Sequence, residues 1–122
     1  MGVLKISPYV YPGFSVQDKT RKTVANILRV CYEYFNDEHE ISKEEIQSSV
    51  RKRHLVDARR VISCILRSTT KLTTTMIGDE LRVDHSSVIH YSRTFDDLHS
   101  SSREFRELYE GLCSKLAQNN LL

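Results

Sequence analysis

The hydrophobic positions along this chain recur with the period of α-helices. From Val16 onward, apolar residues stand three or four positions apart, which is the spacing of one buried helix face. No segment shows the strict alternation of a half-buried strand, and no internal repeat or low-complexity segment occurs. The pattern therefore predicts an all-α fold.

Capping signals divide this pattern into six predicted helices. Two serines begin Ser-x-x-Glu capping boxes, Ser42 with Glu45 and Ser101 with Glu104, in which both side chains satisfy free amides of the first turn. A polar segment, 37–40, is expected to end the first helix. The helices are predicted over about 16–36, 42–48, 55–68, 74–81, 85–99 and from 101 onward. The buried face of the helix over 85–99 is expected to consist of Val88, Tyr91 or Ser92, Phe95 and Leu98.

Length and composition indicate one domain preceded by a short arm. The 122 residues, of which 39% are hydrophobic and 28% charged, are enough for one modest core. Residues 1–15 hold both prolines and two of the four glycines, so an extended N-terminal arm is expected there and a helical domain over residues 16–122. No apolar run long enough to span a membrane and no signal-peptide pattern are present, which predicts a cytoplasmic protein.

The three cysteines are far apart and odd in number. Cys31, Cys64 and Cys113 each fall within a helical pattern, on or next to its apolar face. This placement favours buried free thiols in a reducing compartment over a metal site.

The helices predicted over 74–81 and 85–99 form a helix-turn-helix candidate. Gly78 costs the first helix about 1 kcal/mol relative to alanine, which favours a close helix crossing there. Asp84 is expected to cap the second helix, whose first turns would enter a major groove. Hydroxyls and imidazoles at such positions can bond to base edges. The side chains in position to do so are His85, Ser86, Ser87, His90 and Arg93.

Each of these residues also has an ordinary structural interpretation. Capping alone explains Asp84 better than base contact does, and an exposed polar surface would account for His85 and His90. The two histidines are five positions apart, which does not place two ligands on one helix face, so zinc binding is disfavoured. Many helical proteins contain two short helices joined by a turn, so the spacing alone does not define the motif.

Positive charge is concentrated between Arg51 and Arg67. This segment holds six basic residues and one acidic residue, a net charge of +5, so the remainder carries −3 of the chain's total of +2. Arg59, Arg60 and Arg67 are expected on the side of their helix that faces away from the core. Arg51, just before that helix, could enter a minor groove, whose narrow A·T stretches attract guanidinium groups. The alternative is a solvated helix face, which is what most charge runs are.

The segments 41–46, 51–53, 58–60, 77–78 and 84–90 read Ile-Ser-Lys-Glu-Glu-Ile, Arg-Lys-Arg, Ala-Arg-Arg, Ile-Gly and Asp-His-Ser-Ser-Val-Ile-His. In this order and spacing they resemble the C-terminal DNA-binding domain of the bacterial replication initiator DnaA. The resemblance covers roughly residues 23–116, and the last string is its most specific part. It implies a helical domain of the Trp-repressor-like helix-turn-helix type. It also implies monomeric recognition of a short asymmetric box in double-stranded DNA.

The resemblance also implies roles for individual residues. Arg51 matches the arginine that enters the minor groove. Arg59 and Arg60 match basic helix positions, with Arg60 standing where the initiator often has glutamine, and Arg67 matches a phosphate-contacting residue. The remaining matches are Thr74 and Thr75, near thymine methyl groups, and the recognition-helix contacts Asp84, His85, Ser86, Ser87 and His90.

Two departures from the family pattern are visible. The family usually has Gly-Gly-Arg before the Asp-His pair, whereas Arg82-Val83 stands here, one residue shorter and without glycine. Full-length initiators also carry a glycine-rich phosphate loop, and no Gly-x-x-x-x-Gly-Lys occurs among the four glycines of this chain. Nucleotide binding by this chain is therefore not expected.

The sequence thus predicts a stand-alone, sequence-specific double-stranded DNA-binding protein that regulates replication or transcription at the nucleoid. Other replication or regulatory proteins are candidate partners, and no cofactor or metal is expected. No nucleophile, base and orienting group fall into a catalytic arrangement, so an enzyme is not expected. The alternative is a helical protein-interaction module derived from the same domain, with weak or no specific DNA binding. The short turn and the near-neutral total charge favour that alternative.

Overall fold

The computed structural model of the protein describes the backbone of residues 21–122, with side-chain burial from Thr23 onward. Within that range the chain is all-α and contains no strand, as predicted. The arm predicted over residues 1–15 and the predicted start of the first helix at Val16 lie outside the described residues. The helices are α1 (Arg21–His39), α2 (Lys43–Ile46), α3 (Arg53–Thr69), α4 (Thr74–Leu81), α5 (His85–Ser101) and α6 (Arg103–Gln118).

The centre of the domain is α3. It contacts each of the other five helices, and every residue from 58 to 66 is buried. A helix that is buried on all sides must be enclosed by its neighbours. The surrounding core includes Phe35 of α1, Phe95 of α5 and Tyr109 of α6. The positions of the other helices are therefore set by how each packs on α3.

The first predicted capping box is confirmed, and the second is wrong by one residue. The Ser42 hydroxyl accepts a hydrogen bond from the Glu45 amide at 3.1 Å, and the Ser42 amide donates to the Glu45 carboxylate at 3.0 Å. At the other site, Ser101 still belongs to α5. Ser102 is the N-cap of α6 and accepts from the Phe105 amide at 3.2 Å. The same Ser102 ends α5, so one residue terminates one helix and begins the next.

The predicted break at residues 37–40 is also displaced. α1 continues to His39, and the chain leaves the helix at Glu40, whose φ of 56° is left-handed. The Ile41 amide donates to the carbonyl of Phe35 at 3.0 Å across this bend. Polar residues on an exposed helix face do not break the helix by themselves, and the backbone reversal at Glu40 sets its end.

The buried face of α5 differs from the prediction near its C-terminal end. Val88 and Phe95 are buried as expected, but Leu98 is only half-buried. His99 is 7% exposed instead, and its ring stacks on Phe95 with centroids 5.6 Å apart. Because burial disfavours a charged imidazolium, the pKa of His99 is lowered from its ordinary value.

The three cysteines are buried free thiols, as predicted. Burial raises the pKa of all three, to about 12 for Cys64 and Cys113. A thiol that does not ionise near neutral pH is a poor nucleophile, so these residues act as small core side chains. None of the helices in the described range is long and apolar enough to cross a membrane.

Candidate nucleic-acid interface

The predicted helix-turn-helix is present, and its first helix, α4, has the predicted bounds. Thr73 caps α4 by accepting from the Met76 amide at 3.1 Å. The last residue of α4 is Leu81. The next residue, Arg82, caps the helix in the left-handed conformation with φ 61° and ψ 43°. The Val83 amide then donates to the carbonyl of Gly78 at 2.9 Å, and this bond closes the turn. The turn therefore forms without the two glycines that the resemblance in sequence led us to expect.

Gly78 is required by the turn rather than by a crossing of two helix bodies. A Cβ atom added at Gly78 would lie 2.5 Å from the carbonyl oxygen of Val83. It would also lie 3.5 Å from the backbone at Asp84 and His85. The close approach expected at Gly78 is thus present, and its partner is the backbone that leads into α5.

The first turns of α5 present small polar groups and imidazoles to solvent. His85, Ser86 and His90 are exposed, and Ser87 is half-buried. Asp84 occupies the N-cap position, but its side chain makes no capping hydrogen bond, so side-chain capping by Asp84 is not observed. Its exposed carboxylate lies instead among the residues that line the adjacent groove.

One groove collects most of the predicted site. It has a volume of about 880 Å³ and lies between the loop that precedes α3 and the turn that joins α4 to α5. Its position places the N-terminal part of α5 opposite the segment that carries Arg51. The predicted site residues that line it are Arg51, Arg59, Arg60, Asp84, Ser86, Ser87 and His90.

Four predicted site residues do not line the groove. Thr75 and His85 are exposed, and Thr74 is half-buried at the start of α4. Arg67 is half-buried and donates to the Ser92 hydroxyl at 3.1 Å, which ties α3 to α5. The groove as formed in the free protein thus includes none of these four residues.

The expectation that Arg59 and Arg60 project away from the core is wrong. Both are buried, at 3% and 8% exposure. Arg60 donates to the Asp57 carboxylate at 2.8 Å and to the Thr94 hydroxyl at 3.1 Å. Its guanidinium also lies 5.3 Å from the centre of the Tyr91 ring, a distance typical of a cation–π contact. Arg60 therefore links α3 to α5.

Arg59 links α3 to α2 instead. Its Nε atom donates to the carbonyl of Ile46 at 2.6 Å. One terminal nitrogen donates to the carbonyls of Glu45 at 3.2 Å and Ser48 at 2.8 Å. An amphipathic pattern cannot reveal such contacts, because it ranks arginine as a surface residue and contains no information on carbonyls of a neighbouring helix.

The sequence analysis missed two prominent residues of the groove, Arg82 and Tyr91. Arg82 is exposed and directly precedes the predicted recognition segment, so its place in the turn was a usable signal. Tyr91 is 6% exposed, and burial raises the pKa of its hydroxyl although Arg59, Arg60 and Arg51 lower it. The tyrosine ring thus forms part of the groove wall, with the Arg60 guanidinium 5.3 Å from its centre.

The charged residues that line the groove favour an anionic ligand. They comprise four arginines and two aspartates. Concave surfaces of one predominant sign attract ligands of the opposite sign. In the described part of the chain no group of three or more His, Cys, Asp or Glu residues could hold a metal ion. The geometry is that of a binding surface with the hydroxyls and imidazole of α5, together with Arg82, on one side and Arg51 on the other.

A polar cluster at the back of α4 ties the helix-turn-helix to α1 and α2. The Tyr32 hydroxyl donates to the Glu80 carboxylate at 3.1 Å. The Gln47 amide donates to the carbonyl of Glu80 at 2.9 Å and approaches its carboxylate at 3.4 Å. Both sides of the groove are therefore connected to the core by side-chain hydrogen bonds.

The family described as "Bacterial dnaA protein helix-turn-helix" matches residues 24–95. A chromosomal replication initiator protein DnaA from Flavobacterium psychrophilum is 28% identical over 115 residues. That alignment covers 93% of this chain but 23% of the relative, so the chain spans about a quarter of the length of that protein. No solved structure gives a significant match.

Proposed function

The chain belongs to the bacterial DnaA helix-turn-helix family, and on that premise we propose that it is a stand-alone, sequence-specific binder of double-stranded DNA. Its target would be a short asymmetric box of the type that replication initiators bind. Through such a box it would regulate replication or transcription. The similarity to a chromosomal replication initiator protein supports a proposed role in replication.

The observation that carries this proposal is the arrangement of α5 around the groove. Ser86 and His90 are exposed on its first turns and line the same groove as Arg51. A helix N-terminus in a major groove presents such side chains to base edges, where hydroxyls and imidazoles donate or accept hydrogen bonds. Arg51 lies on the opposite side of the protein groove, where it could enter the DNA minor groove next to the major groove that α5 occupies.

The proposed contacts divide into base recognition and backbone positioning. Base edges would be contacted by His85, Ser86, Ser87 and His90, with Asp84 at the helix start. The remaining proposed contacts are Arg51 in the minor groove, Arg67 toward a phosphate, and Thr74 and Thr75 near thymine methyl groups. Arg60 is buried and bonded to Asp57 and Thr94, so its proposed role is to hold α5 in position.

A direct binding measurement tests the proposal. Purified protein is titrated against a fluorescent duplex bearing an initiator-type box and against a duplex of the same composition in scrambled order. We expect a preference for the box on the order of a hundredfold or more. We also expect affinity to fall steeply with salt, with a slope of about 0.9 per neutralised phosphate.

A selection from random duplexes runs in parallel, because the preferred box of this chain need not equal that of an initiator. Equal affinity for all duplexes and no enriched sequence in the selection would overturn the proposal. That result would favour the protein-interaction module derived from the same domain.

A further inference from the structure

We propose that Arg59 is a positioning residue, which orders the loop between α2 and α3 so that Arg51 faces the groove. The expected effect on DNA affinity rests on the proposed DNA-binding function. The ordering of the loop by Arg59 does not require DNA. It assigns Arg59 a task that differs from direct phosphate contact.

The contacts of Arg59 are those of a C-terminal helix cap supplied from another helix. The last carbonyls of a helix have no partner within it. In α2 and the residues that follow, the carbonyls of Glu45, Ile46 and Ser48 all accept from Arg59, at distances between 2.6 and 3.2 Å. One planar guanidinium thus donates to three backbone acceptors at the end of α2. The carbonyl of Glu45 also accepts from the amide of Ser48 at 3.2 Å and from its hydroxyl at 2.6 Å, so the bonds to Ile46 and Ser48 are the specific contribution of Arg59.

α2 has little stability of its own. It contains four residues, far fewer than an isolated helix needs in water. Its N-terminal end is held by the capping box at Ser42, and Ile46 packs in the core. Arg59 supplies the corresponding fixation at the C-terminal end. Removing it would therefore loosen the end of α2 and the loop that follows, although the Gln47 side chain would still donate to the carbonyl of Glu80.

Arg51 lies only three residues beyond Ser48, the last carbonyl held by Arg59. It is exposed, and it lines the same groove as the first turns of α5. An exposed arginine on an unfixed loop would lose conformational entropy when it bound DNA. A fixed loop start lowers that cost, because fewer backbone angles remain to be ordered.

Burial argues against a phosphate contact by Arg59. The residue is 3% exposed, and two of its three guanidinium nitrogens already donate to backbone carbonyls. A phosphate would have to replace those bonds and leave carbonyls unpaired, which costs free energy for each buried acceptor.

The test begins with amide hydrogen exchange of the free protein, wild type and Arg59→Lys. Lysine keeps the charge but has one nitrogen, which cannot reach the three carbonyls together. We expect exchange at residues 47–52 to accelerate about tenfold or more, while the core amides of α3 are unchanged. Arg53→Ala, at an exposed basic position two residues after Arg51, is the matched control and leaves the loop exchange unaltered.

A double-mutant cycle on DNA binding then tests the link to Arg51. Against the preferred duplex, Arg59→Lys and Arg51→Ala should each weaken binding by about tenfold. In the Arg51→Ala background the further loss from Arg59→Lys should be less than about twofold, since its effect acts through Arg51.

The outcomes separate the two proposals. Unchanged exchange at residues 47–52 in Arg59→Lys overturns the positioning role whatever the DNA measurements give. Losses that multiply in the double variant overturn the link to Arg51, as a direct phosphate contact or a general loss of folding would produce them. If the wild type shows no preference among duplexes, the proposed DNA function fails, and the exchange measurement still decides whether Arg59 orders the loop.

Discussion

Gly78 and Val83 are in backbone contact across the turn of the helix-turn-helix. The Val83 amide donates to the Gly78 carbonyl at 2.9 Å, and the Val83 carbonyl oxygen lies 2.5 Å from the position that a Cβ of residue 78 would take. The angle at which α5 leaves α4 is set by this contact, because any side chain at position 78 would push the two segments apart.

Gly78→Ala should therefore destabilise the protein although alanine favours helices. The propensity gain is about 1 kcal/mol, whereas forcing backbone apart to admit a methyl group costs roughly 1–3 kcal/mol. We expect a lower urea midpoint and a weaker preference for the box duplex. For the urea midpoint alone, Thr75→Ala, at an exposed position of the same helix, reports the propensity change. A Gly78→Ala protein as stable as the wild type would show that the turn tolerates the displacement.

Arg82→Gly should have opposite effects on stability and on DNA binding. Arg82 adopts φ 61°, a conformation that glycine reaches without strain, so we expect stability to rise by roughly 0.5–1 kcal/mol. The same change removes a positive charge from the groove and should lower affinity, with the salt slope reduced by about 0.9. Urea unfolding and a salt series of titrations measure the two effects.

Arg82→Ala is the matched variant for that experiment. It removes the same charge but keeps a Cβ atom in the left-handed conformation. Affinity should fall as it does in Arg82→Gly, without the gain in stability. A stability gain in both variants would mean that charge repulsion, and not backbone strain, is relieved at position 82.

His90→Ala should weaken discrimination between duplexes rather than binding in general. His90 is exposed and lines the groove on the second turn of α5. Loss of one good base contact costs about 1–3 kcal/mol of preference, whereas affinity for a scrambled duplex should hardly change. His54→Ala, an exposed histidine on α3 outside the groove, is the control. Equal weakening on both duplexes would assign His90 to the DNA backbone instead.

Stability should decrease as the pH falls through the ordinary pKa of histidine, because of His99. Desolvation lowers its pKa below 6.5, and Arg106 adds to the effect while Glu110 and Asp96 oppose it. In that pH range the unfolded chain binds more protons than the folded one, so protonation favours unfolding. The contribution is fully present above pH 6.5 and is lost as the pH falls toward the folded-state value.

Urea unfolding at about pH 7.5 and 5.5 measures this dependence. His99→Gln has no titrating group at the position, so the difference between the two pH values should shrink. A difference as large in the variant as in the wild type would place the pH dependence on other residues.

Local signals in the sequence were sufficient for most of the helices. The bounds of α4 and the cap at Ser42 follow from hydrophobic period and capping chemistry, which act over a few residues. The cap at Ser102 was misplaced by one residue because Ser101 and Ser102 are both suitable caps. Which of them ends α5 depends on how α6 packs, and sequence spacing does not contain that information.

The site was predictable only where its residues are exposed. Ser86 and His90 lie where the helical period places them, away from the core. Arg59 and Arg60 occupy positions that the helical period assigns to the surface, but both are buried. They can be buried because Arg59 donates to the carbonyl of Ile46 and Arg60 donates to the carboxylate of Asp57. The carbonyls that accept from Arg59 come from another segment of the chain, and a pattern of polar positions cannot identify them. Asp57, in contrast, lies three residues before Arg60 on the same helix, so that pair was visible in the sequence spacing.

The hydrogen bonds behind the groove have a mechanical consequence. Gln47 holds α4 through Glu80, and Arg60 holds α5 through Thr94. The distance between the loop that precedes α3 and the turn that joins α4 to α5 is thus fixed before any ligand binds. A duplex bound there would have to match that fixed distance by adjusting its own groove width. Sequences that bend or narrow easily would then be preferred even at base pairs that no side chain touches.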